Sequence, residues 1–365
     1  MKKIFLLCTI LGAVMLFSAL PTFAQPYSPS EAAEKTYGNW KFRLSASGNY
    51  QFETDINSGG KFELYRITGG VNVLYNFNPC TTLDTSLGYE YLDYDFSDVG
   101  NSQFQGDDNR LGRLGNLARL GYLGRIPLFR SNRWRERNNG GFSDVGNGGY
   151  SWDRIHTGAI RSVLRWRESE QWEYFGGPIF TLGMEEGADW EDAIGGGLTA
   201  GFKYFHSDTL TIGAGLTGLS KFEKDDPLLL PVIILDWKFA PGWQLRNAMN
   251  DLGSKGGTGL EVAWKPVDNL ELALGAQYMR RDFRLSGRDS RLSDDGTAGD
   301  GIGQERGYPV YVMANLDVVK NVRLSVFGGA IMSGKIRVED SNGDALASHD
   351  YDPAPIAGAR LGICF

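Results

Sequence analysis

The sequence predicts an all-β fold: a transmembrane, antiparallel, up-and-down β-barrel of about fourteen strands, with twelve and sixteen as the other counts it allows. Three observations carry this. Apolar residues recur at period two over segments far longer than the roughly five or six residues usual in a soluble strand. The connections between these segments alternate between short turns and longer polar, Gly/Asp-rich stretches. No run of eighteen apolar residues follows the N-terminal leader, so any membrane crossing must be built from strands.

The leader has Lys2 and Lys3, an apolar stretch from Ile4 to Leu20, and small residues in Thr22-Phe23-Ala24. That is a signal peptide over 1–24, cut before Gln25, and it stands outside the fold. Cys8 lacks the small-residue context of a lipidated cysteine. Residues 25–39 form a short N-terminal segment before the first strand. The chain carries 37 Lys plus Arg against 44 Asp plus Glu, and losing Lys2 and Lys3 makes it more acidic still. This balance excludes nucleic acid as a partner. Mean hydropathy is −0.28 although aromatics reach 12% and glycines number 49. Low mean hydropathy with strong alternation fits lipid outside and water inside. Cys80 and Cys364 are too few for a disulfide framework and fall several strands apart, so no bridge is expected.

Taken in order, the first segment, 40–55, sets Trp40, Phe42, Leu44, Ala46, Tyr50 and Phe52 against Lys41, Arg43, Ser45, Ser47, Asn49 and Gln51. The second, 61–77, opposes Tyr65, Ile67, Val71, Val73, Tyr75 and Phe77 to Arg66, Thr68, Asn72 and Asn76. The alternation continues at 81–95, 152–167, 171–184, 190–206, 209–222, 228–239, 242–251, 258–265, 269–285 and 304–319. Pro178, Pro231 and Gly195 to Gly197 weaken the middle of this series. The segment 321–338 sets Val322, Leu324, Val326, Ala330, Met332, Ile336 and Val338 against Arg323, Ser325, Ser333, Lys335 and Arg337. The last strand is 354–365. Short turns such as Asn78-Pro79-Cys80 and Ala240-Pro241 fall at one end, and an even strand count puts both termini there. Aromatics gather beside those turns, at Tyr75, Phe77, Trp166, Trp172, Tyr204, Trp237, Phe239 and Trp243, where an interfacial girdle belongs.

The closing residues, Ala359 to Phe365, alternate and stop on a terminal aromatic. This resembles the C-terminal signature of Gram-negative outer-membrane β-barrels, which the barrel-assembly machinery reads. With the leader and the strand series, the resemblance to that class covers 40–365; in layout the chain also resembles barrels catalogued as a domain of unknown function. The resemblance implies an outer-membrane location in a Gram-negative bacterium, periplasmic N- and C-termini, Phe365 as an assembly signal, and contact with outer-membrane lipid and lipopolysaccharide. Fourteen-stranded fatty-acid transporters carry a longer N-terminal plug, and 25–39 is too short to fill a lumen, so that subclass is disfavoured.

With the apolar parity facing lipid, the other lines the lumen. It carries Lys41, Arg43, Arg66, Arg161, Arg165, Arg167, Lys203, Lys238, Arg246, Lys265, Arg281, Arg323, Lys335, Arg337 and Arg360. Against these stand Glu53, Asp84, Glu90, Glu173, Asp236, Glu261, Glu271 and Asp317. Bases outnumber acids, and a basic lumen biases a pore toward anions. Cross-strand pairing would consume the acids and leave some bases over.

The connection 96–151 is unusually long and holds Arg110, Arg113, Arg119, Arg125, Arg130, Arg133, Arg135 and Arg137 with only Glu136 in opposition. Leu111, Leu114, Leu117, Leu120 and Leu123 recur every three residues within it. Folded into the mouth, it would present guanidinium groups to anionic solutes; turned outward, it would meet lipopolysaccharide phosphates. A solvated loop is the plain alternative. The expected constriction set is therefore these loop arginines together with Arg161, Arg165, Arg323 and Arg360. Catalysis is not expected, since His156, His206 and His349 fall in no motif that activates a nucleophile or holds a metal. No cofactor is expected, and the acid-rich stretches lack the spacing of a calcium loop. The expected role is a passive or weakly selective channel for small polar solutes, anions included. The competing role is a non-transporting surface barrel that binds lipopolysaccharide or another partner through its loops.

Overall fold

The computed structural model describes residues 40–97, 152–220, 228–248, 259–286, 301–339 and 345–365. All belong to one compact unit, 23–99 with 150–365. Its strands are β1 (Trp40–Asp55), β2 (Lys61–Asn78), β3 (Thr81–Ser97), β4 (Arg154–Arg167), β5 (Trp172–Glu185), β6 (Ile194–Ser207), β7 (Leu210–Leu219) and β8 (Leu228–Ala240). There follow β9 (Trp243–Asn247), β10 (Gly259–Val267), β11 (Leu270–Gln277), β12 (Met279–Arg284), β13 (Ile302–Val319), β14 (Val322–Glu339), β15 (Ala345–Tyr351) and β16 (Ala354–Cys364).

Each strand pairs antiparallel with its neighbours, and β1 pairs with β16 from Arg43↔Cys364 to Gln51↔Ile356, so the sheet closes on itself. Closure removes the free edges that hydrocarbon cannot tolerate. Two staves are interrupted. β11 and β12 both pair with β13 across a break at Tyr278, and β15 and β16 both pair with β14 across Asp352 and Pro353. Counting each as one gives a closed antiparallel barrel of fourteen strands.

The outer face is apolar. Leu198, Val312, Leu229, Ile233 and Leu274 are each more than half exposed there. Aromatics ring the end that carries the short turns. Trp40 meets Tyr75 at 4.4 Å and Trp172 meets Tyr204 at 4.8 Å, both tilted, and Trp243 stacks on Trp264 at 5.6 Å. That combination, an apolar belt edged by Trp and Tyr, suits a bilayer.

At the opposite, loop-bearing end the simple alternation fails, for a local reason in each case. In β1 the register passes from Gln51↔Leu64 to Thr54↔Phe62, so one extra residue bulges out and the facing side switches. Thr54 and Ile56 turn inward and are buried. Glu53, expected in the lumen, is instead exposed and pairs with Lys61 at 2.9 Å. In β14 the register passes from Tyr308↔Met332 to Arg306↔Lys335, and Ser333 takes φ 50° to absorb the extra residue. Ile336 and Val338 therefore point into the barrel, only 3% exposed, and Lys335 and Arg337 leave the lumen set. Lys335 meets Asp350 at 3.0 Å and Arg337 meets Glu339 at 2.8 Å. Part of the stretch expected as a loop, 339–353, is in fact strand β15, which extends the β16 stave. The sixth strand starts at Ile194, later than 190.

Candidate lumen site

The lumen has two parts. Toward the loop end it is packed solid. Phe62 and Leu64 from β2, Leu92 and Tyr94 from β3, Ile155 from β4, Met279 and Phe283 from β12, Ile336 and Val338 from β14, and Tyr351 from β15 form one apolar core with Trp152. Rings meet edge to face, Trp152 with Phe283 at 5.1 Å and Phe62 with Tyr351 at 4.9 Å. Such pairs add about 0.5–1.5 kcal/mol each beyond area burial. The close packing depends on two glycines. A Cβ on Gly303 would sit 2.2 Å from the Phe283 ring, and one on Gly334 would sit 1.9 Å from Tyr351.

Beneath this core runs a charged brace between opposite walls. Arg66 Nε lies 2.5 Å from Glu90 Oε1 as an ion-pair contact, and Arg281 Nε approaches the same oxygen at 3.5 Å. Arg281 Nη1 also donates to Glu305 Oε2 at 2.5 Å. Tyr94 OH donates to Glu305 Oε2 at 2.6 Å and Tyr351 OH to Oε1 at 3.1 Å. Glu305 and Tyr94 are almost fully buried, as is Arg281. Five groups from β3, β12, β13 and β15, with Arg66 of β2, thus meet across the lumen. Beyond them the end of β12 reaches β5: Arg284 bridges Met184 in parallel, and Ser286 donates its N–H and hydroxyl to Glu185 Oε2 at 2.8 and 3.0 Å.

Toward the turn end, below the brace, lies a cavity of about 740 Å³. On β1 to β4 its wall carries Arg43, Arg66, Arg161 and Arg165 with Asp84 and Glu90, short polar and glycine residues, and Val71, Leu87 and Val163. Arg43, Asn72, Ser86 and Arg161 are successive cross-strand partners, so both arginines stand on one row with short polar side chains between them. Arg360 of β16 lines the same cavity, as do Arg66 and Arg281 of the brace. The adjoining wall, on β5 to β8, starts beside the arginines, since Ile179 is the cross-strand partner of Arg161, and carries Phe175, Leu219, Val232 and Ile234 with Lys203, Thr181, Thr199 and Thr217. Thr199 and Thr217 bond to each other at 2.9 Å.

Four further inward bases are paired. Arg165 meets Asp84 at 2.5 Å, Lys203 meets Glu173 at 2.8 Å, and Arg246 is shared by Glu261 and Glu271 at 2.6 Å each. Arg323 donates to both Asp317 oxygens at 2.6 and 3.0 Å. No ion pair of Arg43 or Arg161 occurs among the described residues.

Of the residues expected to form the site, Arg161, Arg165 and Arg360 line the cavity, while Arg323 sits nearer the turn end, clamped to Asp317 and outside the cavity wall. Arg110, Arg113, Arg119, Arg125, Arg130, Arg133, Arg135 and Arg137 lie outside the described residues, as do 1–24 and 25–39. Phe365 exchanges backbone hydrogen bonds with Phe42. Cys80 and Cys364 are free thiols. The apolar core and Glu305 went unread in the sequence. A signal did exist, since Phe62 and Leu64 share the parity of Arg66.

No known protein family matches the chain by sequence, and no curated protein does. Among solved structures it is similar to an outer-membrane channel of the COG4313 group from Pseudomonas putida F1, at 10% identity, over 93% of this chain and all of that one, with a TM-score of 0.43. It is similar also to the Pseudomonas putida toluene transporter TodX, at 8% identity over 90% of each chain and a TM-score of 0.38. A third is the outer-membrane protease OmpT from Escherichia coli, at 10% identity, over 92% of this chain and all of that one, with a TM-score of 0.26.

Proposed function

We propose that the protein is a Gram-negative outer-membrane channel for small polar solutes that favours anions, with its short turns and both termini in the periplasm. One observation carries the reading: a cavity inside the barrel into which Arg43, Arg161 and Arg360 project from one wall. Guanidinium groups stay charged at any physiological pH and bind carboxylate or phosphate through paired donors. In a low-dielectric barrel they raise the local concentration of anions. On this reading Phe365 is what the assembly machinery recognises, and outer-membrane lipid with lipopolysaccharide surrounds the apolar belt. We take the barrel to be non-enzymatic. The test is the reversal potential of purified, refolded protein in a planar bilayer under a KCl gradient. A potential on the chloride side is expected, and one on the potassium side ends the idea.

The packed core at the loop end favours a second reading, a closed barrel that acts only through its surface loops. Such a protein gives no current at all. Deleting the middle of 96–151 separates the two further: it raises conductance if that segment narrows a pore and leaves a closed barrel silent.

A further inference from the structure

The cavity is two-faced, and its second face is not what a path for fully hydrated ions requires. Leu228 to Leu235 of β8 is an unbroken apolar run, Leu-Leu-Leu-Pro-Val-Ile-Ile-Leu. A strand between lipid and water should alternate. Here Leu229 and Ile233 are exposed on the outside, while Val232 and Ile234, of opposite parity, line the cavity. Apolar character on both faces of a strand is the pattern of one covered on both sides. Leu219 from β7 and Phe175 from β5 extend the same apolar surface, while Ile179, the cross-strand partner of Arg161, marks where the two walls meet. Across from it stand Arg43 and Arg161 on their common row, separated by Asn72 and Ser86. Three inter-strand steps of about 4.8 Å put their Cα atoms roughly 14 Å apart. The short residues between leave that space open to a ligand. The volume, about 740 Å³, is in the range of small-molecule pockets.

From this juxtaposition we propose that the cavity binds an amphipathic organic anion, a carboxylate with an apolar body. The carboxylate sits between the Arg43 and Arg161 guanidinium groups, and the body lies against Val232, Ile234 and Phe175. The inference rests on the reading of the barrel as an anion-favouring channel and names the class of anion. Each half of the ligand meets a wall that the other half would not use. An inorganic anion leaves the apolar wall wet, and an uncharged hydrocarbon leaves the arginines without their charged partner. A molecule carrying both satisfies the two together.

The experiment uses the full mature chain refolded into lipid nanodiscs, with empty nanodiscs as the partition control. Binding of octanoate, acetate and octan-1-ol is followed by isothermal titration calorimetry. Octanoate should bind at least tenfold more tightly than either half-ligand. Arg161→Gln should weaken octanoate about tenfold and leave octan-1-ol unchanged. Ile234→Thr should weaken octanoate several-fold and leave acetate unchanged. This second variant keeps the charged wall intact, so it tests the apolar wall if Arg161→Gln fails to fold. Equal affinity for acetate and octanoate overturns the proposal, as does octanoate binding indifferent to both variants. Conductance recorded on the same preparations keeps the two readings apart. Anion-selective current without octanoate binding defeats the amphipathic site alone, whereas octanoate binding without current defeats the channel and leaves the site standing.

Discussion

Phe365 and Phe42 hold the seam of the barrel. The Phe365 N–H donates to the Phe42 carbonyl at 2.8 Å, and the Phe42 N–H donates back to the Phe365 carbonyl at 3.1 Å. Phe365 is thus the last rung of the β1–β16 ladder. Deleting Phe365 removes both bonds, which at about 0.5–1.5 kcal/mol each sum to roughly 1–3 kcal/mol. Phe365→Ala keeps the rung and loses only the ring. In urea titrations of protein refolded into vesicles, the deletion should therefore be the less stable of the two. Equal midpoints would mean that the ring alone matters.

Arg281 and Glu305 form the deepest ion pair described in the lumen, 2.5 Å apart and with both side chains 5% exposed or less. Removing one partner strands the other charge, which costs about 3–5 kcal/mol. Glu305→Ala should lose stability on that scale, and it also leaves the Tyr94 and Tyr351 hydroxyls without their acceptor. The double change Arg281→Met with Glu305→Leu removes both charges and should recover most of the loss. A double variant no more stable than Glu305→Ala would show that the brace depends on its hydrogen bonds rather than on charge balance.

The barrel itself was legible because its period-two signal is local: Trp40 to Gln51 and Tyr65 to Phe77 declare their faces without reference to any partner. Arg161, Arg165 and Arg360, which line the cavity, stand on the parity that alternation assigns to the lumen. What defeated the reading was a change of parity within a strand. The bulges after Gln51 and at Ser333 each add one residue, and alternation counted through them assigns Glu53, Lys335 and Arg337 to the wrong face. The brace was hidden for a different reason. Arg66, Glu90 and Arg281 were all visible as inward charges, but their meeting across the lumen depends on how β12 leans toward β5, which no periodicity encodes.

Gly334 offers a test of that bulge. Its neighbour Ser333 has positive φ, and the Tyr351 ring lies where a Cβ on Gly334 would stand. Gly334→Ala must displace Tyr351 and with it the hydroxyl on Glu305, so a loss of about 2–4 kcal/mol is expected, from overpacking together with a lost bond to a carboxylate. Pairing it with Tyr351→Ala removes the clash, and the double variant should be less destabilised than the sum of the two single changes, as contacting residues are. Strict additivity, measured by urea unfolding, would place the strain elsewhere.

The packed core sets the last expectation, which concerns where current flows. Phe283 lies 5.1 Å from Trp152 and 6.4 Å from Tyr94, at the middle of the loop-end core. Phe283→Ala removes a buried ring at a cost of about 3–5 kcal/mol and leaves a void the size of several waters. If ions pass through the core, single-channel conductance should rise severalfold, and further in Trp152→Ala with Phe283→Ala. The reversal potential should stay on the chloride side, because Arg43 and Arg161 lie below the core and are untouched. The complementary pair, Arg43→Gln with Arg161→Gln, should move the reversal potential toward zero with little change in conductance, since it alters charge and not bore. An unchanged conductance in Phe283→Ala would put the path beside the core, along the β6 to β8 wall where Thr199, Thr217 and Val232 line the cavity. The core would then be a fixed brace that shapes one side of the passage, and the cavity arginines, Arg360 included, would set selectivity on the route.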